Sequence, residues 1–411
     1  MSAGPDILLV THRIPYPPDK GDKIRSWRIL RHLAGRARVH LATFVDDPAD
    51  RVHVPHLAGL CASLRVAEAG GWRGRRRAAL GLLRGEALTL AWYRDPALAA
   101  WVRETVARHR IEAALAFSSG VAPYALVPGL RRRVLDLVDV DSDKWRQYAE
   151  GRGGAARWVY GREARRLAAA ERAFVAAFDA TLVVSEAEAA LLGRIAPGAE
   201  GRIRVMRNGV DCGWFDPAGA GPSPYREGER AVVFTGAMDY WANVDAVLWL
   251  AREVWPAVRR RHPGARLYVV GARPAPVVAA LDGRDGIVVT GRVEDVRPYL
   301  AHAAAAVAPL RIARGVQNKV LEAMAMGRAV VATPAAVRGI AGLRGDEVTV
   351  AQDAGAFAEA VARLVAGDDG GQGRRARAFV RARYGWDEAL AVLDEALGLD
   401  GAPAASREAT A

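Results

Sequence analysis

The stretch "AAAVAPLRIARGVQNKVLEAMAMGRAVVATP" (residues 304–334) holds a complete supersecondary unit. "AAAVAP" (304–309) is apolar, strand-length and ends in a turn, "RGVQNKVLEAMAMG" (314–327) has helical periodicity, and "AVVATP" (329–334) is again strand-length. Strand, helix and strand in roughly 30 residues form a βαβ unit, which implies a parallel sheet covered by helices. The helix is expected over Val316–Met326, with Gly327 as its C′ residue and Gly315 allowing close backbone approach. Lys319 then falls in the first turn, where the helix dipole disfavours a cation, and Glu322 follows one turn on. Free N–H groups at a helix N-terminus with Lys319 beside them suit a phosphate, and Glu322 on the same face suits a pair of sugar hydroxyls. The bland alternative is a surface Lys–Glu pair above a core of Val320, Leu321, Ala323 and Met324.

The same alternation extends in both directions. Before the unit come "AVVFTG" (231–236), "RLYVVG" (266–271) and "GIVVTG" (286–291); in the first half come "DILLV" (6–10), "RVHLATF" (38–44), "AALAF" (113–117), "RRVLDLV" (132–138) and "DATLVVS" (179–185). Between the two series, "CGWFDPAGAGPSPYREGER" (212–230) is dense in Gly and Pro and reads as a linker. The expected architecture is α/β, with two tandem doubly wound, Rossmann-like parallel-sheet domains facing a cleft. Residues 1–212 form the first domain, 213–230 the linker, 231–384 the second domain, 385–398 a terminal helix returning to the first domain, and 399–411 a disordered tail. Ligands in such sheets bind at the carboxyl ends of the strands.

Composition narrows the class. The 411 residues are 51% hydrophobic and 25% charged, as in globular proteins, and the cysteines, Cys61 and Cys212, suggest neither a zinc cluster nor a redox pair. No basic n-region precedes the apolar run at the start, so a cytoplasmic location is expected. The net charge of +12 favours polyanions or an anionic membrane surface. "WRGRRRAALGLLRGEALTLAWY" (72–93) has the composition of an interfacial amphipathic helix. A nucleic-acid-binding role has no RNA-binding signature to support it.

In the first domain, "HRIPYPPDKGDKIRSW" joins strand one to a helix expected near Lys23, with Asp22 as N-cap and Ile24, Trp27, Leu30 and Leu33 on the buried face. Gly21 lies at the strand end, and His12, Arg13, Lys20, Lys23 and Arg25 are the polar groups of the loop. In "VDVDSDKW", Asp139, Asp141 and Asp143 alternate as calcium ligands do, yet the glycine and terminal glutamate of an EF-hand loop are missing. Acceptor positioning or N-capping is the preferred reading, with Asp141 as the candidate and no metal.

The run from Thr290 through Pro334, with "VMRNGVD" (205–211), "FTGAMDYWANVDAV" (234–247) and "LYVVGARP" (267–274), resembles the donor half of retaining glycosyltransferases of the GT-B fold (group 1, family four type). "THRIPYPPDKGDKIRSWRILRHLA" and "DLVDVDSDKWRQYA" resemble more narrowly the sugar transferases of exosortase/PEP-CTERM exopolysaccharide systems. The resemblance implies that Glu322 binds the ribose of a nucleotide-sugar donor, that Gly236 lies beside its diphosphate, and that the Val293 backbone meets the base. Asp295 is read as a helix cap instead. Two positions depart from the pattern: Arg314 stands where the class has its first glutamate, and "AMDYW" replaces the usual cations after Gly236. Lys319, with Arg314 or Arg311, is the substitute for those cations; an alternative role for Arg314 is to meet an acidic sugar such as a uronic acid.

The expected function is a retaining, hexosyl-type glycosyltransferase moving sugar from a nucleoside-diphosphate sugar to a saccharide or polyprenyl-linked acceptor in cell-surface glycan synthesis. The expected catalytic groups are Arg314, Lys319 and Gly21. No cofactor or metal is implied beyond the sugar-nucleotide co-substrate. The rivals are a sugar-nucleotide epimerase of the same fold and a basic nucleic-acid-binding protein.

Overall fold

The computed structural model describes residues 4–18, 21–313 and 315–399. The chain divides into two compact units, Met1–Arg207 with Ala389–Ala411, and Asn208–Glu388. In the first, β1 (Asp6–Thr11), β2 (Arg38–Val45), β3 (Ser63–Glu68), β4 (Ala113–Phe117), β5 (Arg132–Val138), β6 (Ala180–Val183) and β7 (Ile203–Val205) form one sheet in the order β3-β2-β1-β4-β5-β6-β7. Every neighbouring pair is parallel. The order reverses direction between β1 and β4, so their carboxyl ends flank the switch point at which doubly wound sheets bind ligands.

In the second unit, β8 (Ala231–Thr235), β9 (Arg266–Val270), β10 (Ile287–Gly291), β11 (Ala305–Ala308), β12 (Val330–Ala332) and β13 (Thr349–Val350) are also all parallel, in the order β10-β9-β8-β11-β12-β13. The switch point here lies between β8 and β11. Central strands β8, β11 and β12 are buried along their whole length, which explains why they read as unbroken apolar runs instead of alternating ones. The βαβ unit of the opening stretch is β11, the helix Asn318–Ala325 and β12.

The sequence expectation of two parallel α/β domains therefore matches the structure. Some local features differ. The segment 212–230 packs within the second unit: Tyr225 is buried, its hydroxyl donates to the Tyr299 carbonyl at 2.5 Å, and Asp216 pairs with Arg377 at 2.8 Å. The last helix, Trp386–Leu397, breaks from the preceding one at Gly385, and its Asp394 pairs with His32 of the first unit's helix Gly21–Ala34 at 2.7 Å. No described helix is long and apolar enough to cross a membrane.

Candidate active site

The second unit gathers three strand-end glycines. Gly236, Gly271 and Gly291 close β8, β9 and β10, and their backbones stack across the sheet: Gly236 N–H donates to Val270 O at 3.0 Å and Gly271 N–H to Gly291 O at 3.1 Å. A Cβ on Gly271 would lie 1.7 Å from the Gly236 carbonyl oxygen, so no larger residue fits there. Gly236, at φ 154°, is confined by side chains instead, since a Cβ would lie 2.8 Å from both Lys319 Nζ and Asn243 Nδ2.

Lys319 thus sits on the backbone at the carboxyl end of β8. The helix that carries it starts at Asn318, later than the expected Val316, because Gln317 is still extended. Its ammonium donates to Asn243 Oδ1 at 2.6 Å and lies 4.4 Å from the centre of the Phe234 ring. Asn243 is buried in the first turn of the helix Trp241–Trp249 and donates its other amide atom to Ala237 O at 2.8 Å. One side chain therefore ties the loop after Gly236 to Lys319. Glu322, one turn on, has no hydrogen-bond partner for its carboxyl group among the described residues. Burial pushes the Lys319 ammonium down to about 7, against the opposing charge of Glu322, and pushes the Glu322 carboxyl up to about 7, against the opposing charge of Lys319. Two polar groups held partly out of water, with their charges incompletely matched, are what a ligand bearing phosphate and hydroxyls satisfies.

The other candidates in this unit divide. Gly315 adopts φ 60° and packs its carbonyl against Gly339, where a Cβ would lie 2.2 Å away. Val293 is half-buried just beyond the end of β10. Asp295 accepts from the Arg297 N–H at 2.8 Å just ahead of the helix Arg297–His302, whose N-cap residue is Val296 and not Asp295. Arg311 is exposed and engaged by Asp245, with its Nε 2.9 Å from a carboxylate oxygen. Arg314 lies outside the described residues, as does Lys20 in the first unit.

At the switch point of the first unit, His12 follows β1 and Ser118 follows β4. His12 Nδ1 lies 3.2 Å from the Phe117 carbonyl, which can only accept, and 3.3 Å from Ser118 Oγ, while Nε2 lies 3.4 Å from Asp22. Arg13 donates to Asp46 at 2.8 Å and also binds Asp22. Burial raises the Asp22 carboxyl, but the His12 hydrogen bond and the Arg13 charge outweigh it and hold it well below the usual carboxylate range. Asp22 is therefore not the N-cap expected of it; it stands inside the described helix Gly21–Ala34, facing back to the loop. Gly21 is exposed, and a Cβ there would meet nothing within 4 Å, so nothing within the unit demands glycine. Asp141 accepts from Ser119 Oγ at 2.6 Å and from Lys144 Nζ at 3.2 Å, whereas Asp139 pairs with Lys144 and Asp143 with Arg146. Asp139 and Asp141 thus share Lys144 while Asp143 is held by Arg146, so all three carboxylates are already paired with cations.

Lys23 and Arg25 are placed differently from the other loop cations. Both are buried: Lys23 Nζ donates to Asp50 at 2.8 Å, and the Arg25 guanidinium forks onto the fully buried Asp136 at 2.7 and 3.1 Å while also donating to Met206 O at 2.8 Å. Arg25 anchors the helix to β5 of the sheet, and Lys23 anchors it to the segment Pro48–His53 that follows β2.

Residues 229–367 match the family model described as glycosyl transferases group 1. This match lies wholly within the second unit. Among solved structures, the chain is similar to Anabaena HepE in complex with UDP, at TM-score 0.64 and 15% identity over 96% of this chain and 99% of that one. It is likewise similar to sucrose-phosphate synthase from Thermosynechococcus elongatus (TM-score 0.64, 18% identity, 95% and 98% covered). A third is WaaG, a glycosyltransferase involved in lipopolysaccharide biosynthesis (TM-score 0.62, 17% identity, 95% and 100% covered). At these identities the likeness is one of fold, the GT-B fold. No curated protein matches the chain by sequence. The matched region contains Gly236, Asn243, Lys319 and Glu322 together, so the match and the cluster coincide. Asn243 was not singled out from sequence, since an Asn in a helix carries no local signal of the lysine it will meet across the domain.

Proposed function

We propose that this protein is a retaining glycosyltransferase that moves a hexosyl group from a nucleoside-diphosphate sugar to a saccharide or lipid-linked saccharide. The observation that carries the reading is Lys319 resting on Gly236 at the end of β8, with Glu322 one helical turn away, its carboxyl group without a hydrogen bond among the described residues, inside the region that matches the group 1 model. Lys319 and the N–H groups of its helix take the diphosphate and stabilise the charge that builds on it as it leaves. Glu322 accepts from the ribose hydroxyls, and the backbone at Val293 meets the base. UDP is the first nucleotide to test, because HepE has been solved with UDP and with UDP-glucose. The acceptor side is assigned to the first unit at His12, Asp22 and Asp141. The exopolysaccharide role of exosortase/PEP-CTERM systems rests on the sequence resemblance.

The test is a panel of nucleotide sugars with and without added saccharide acceptors, following free nucleoside diphosphate and the anomeric configuration of the product by NMR. Acceptor-dependent release with retained configuration is expected. Interconversion of the sugar without an acceptor would support an epimerase and overturn the proposal.

A further inference from the structure

The first unit holds a groove that the sugar-transfer reading does not use. It has a volume of about 770 Å³ and lies among the helices Asp141–Glu150, Gly154–Ala177 and Glu186–Ile195. Its floor is aliphatic, made by Ala149, Ala164, Ala168, Leu191 and Ile195. Its rim is cationic: Arg157, Arg165 and Arg194 are exposed, and among the described residues none is paired with a carboxylate. The acids of the rim, Asp143 and Glu150, are both already held by Arg146, at 2.7 and 2.5 Å. Trp158 stands at the edge with 60% of its surface exposed.

The surface continues beyond the groove. One turn after Trp158, Arg162 donates to Leu82 O at 3.3 Å and to Glu86 O at 3.0 Å, which docks the end of the basic helix Gly71–Leu83 alongside. That helix ends in Leu80 and Leu83, the latter 84% exposed. An aliphatic floor, an unpaired cationic rim, an exposed indole and an exposed leucine tip together fit one kind of occupant, an anionic head joined to a hydrocarbon chain.

We infer that this face docks on an acidic phospholipid bilayer, with Arg157, Arg165 and Arg194 taking lipid phosphates, the groove receiving acyl chain, and Trp158 and Leu83 entering the interface. The protein lies on the membrane, since no described helix spans it. The inference is independent of the sugar-transfer reading and is tested without catalysis. The full chain is floated with vesicles of phosphatidylcholine alone or of equal parts phosphatidylcholine and phosphatidylglycerol. Each basic residue at an acidic surface contributes about fivefold in partitioning, so the triple variant Arg157→Ala/Arg165→Ala/Arg194→Ala is expected to bind acidic vesicles ~100-fold more weakly. Trp158→Ala/Leu83→Ala is expected to lower binding at high salt, where the apolar part dominates. A control removing the same charge from exposed positions of the second unit, Arg252→Ala/Arg260→Ala/Arg261→Ala, is expected to bind as wild type. Failure of the wild type to float with acidic vesicles, or equal loss in the control, would overturn the inference. So would release from vesicles by inorganic phosphate at constant ionic strength, which would assign the groove to a soluble phosphate.

Discussion

Replacing Lys319 by Met should make the ligand-free protein more stable and destroy its nucleotide binding. Withdrawal from water lowers the ammonium from 10.5 to about 7, a fall worth at most roughly 5 kcal/mol at about 1.4 kcal/mol per pKa unit. The ammonium retains one hydrogen bond, to Asn243, and the attraction of Glu322, and the side chain is only partly buried, so about 2 kcal/mol is the realistic gain. The sign follows from linkage. The unfolded lysine binds its proton more tightly than the folded one, so the penalty is fully present below about pH 7 and fades as pH rises towards 10.5. Urea unfolding at pH 6 should therefore show Lys319→Met more stable than wild type, and at pH 9.5 the gap should have narrowed. In parallel, titration with UDP should lose about 3 kcal/mol, which is more than a hundredfold. A variant less stable than wild type at pH 6, or one that binds UDP unchanged, would refute the reasoning.

Glu322→Gln should match wild-type stability near pH 4.5 and exceed it at pH 8, because the raised carboxyl costs the native state stability as pH climbs through about 7; thermal melts at the two pH values check this. Arg25→Ala leaves the buried Asp136 without its cation and should cost about 3–5 kcal/mol in chemical denaturation, with Asp136→Ala doing the same. Gly21→Ala should leave the melting temperature unchanged or slightly higher, since the added methyl meets nothing, while lowering kcat if substrate approaches that backbone; the two readouts separate packing from catalysis. Gly236→Ala should abolish nucleotide binding by calorimetry, because its Cβ collides with Lys319 and Asn243.

Central strands were the legible part of the fold. β1, β2, β4, β5, β6, β8, β9, β11 and β12 each lie between two neighbours in their sheets and announce themselves as apolar runs, and the edge strand β10 was legible as well from its apolar "GIVVTG". The other edge strands, β3, β7 and β13, did not, because an edge is short and half-exposed: β3 contains no fully buried residue, and β13 has two residues. Of the candidate site residues, Lys319 and Glu322 were singled out by a local pattern, a helix's first turn, and Gly236 by the family resemblance. The partners that give Lys319 its position are not local, since Asn243 is 76 residues away in the chain. Lys23 and Arg25 show the converse limit. A charged residue on a helix reads as solvated, and only the acids Asp50 and Asp136, brought in by tertiary packing, permit its burial.

The central claim is that the second unit holds a nucleoside diphosphate between Gly236, Lys319 and Glu322. Calorimetric titration of the full chain with UDP, GDP and ADP, repeated on Glu322→Ala, tests it most directly. One nucleotide should bind the wild type, and the substitution should weaken it tenfold or more by removing the ribose contact. A well-folded wild type that binds none of the three, or a nucleotide held equally by Glu322→Ala, would contradict it.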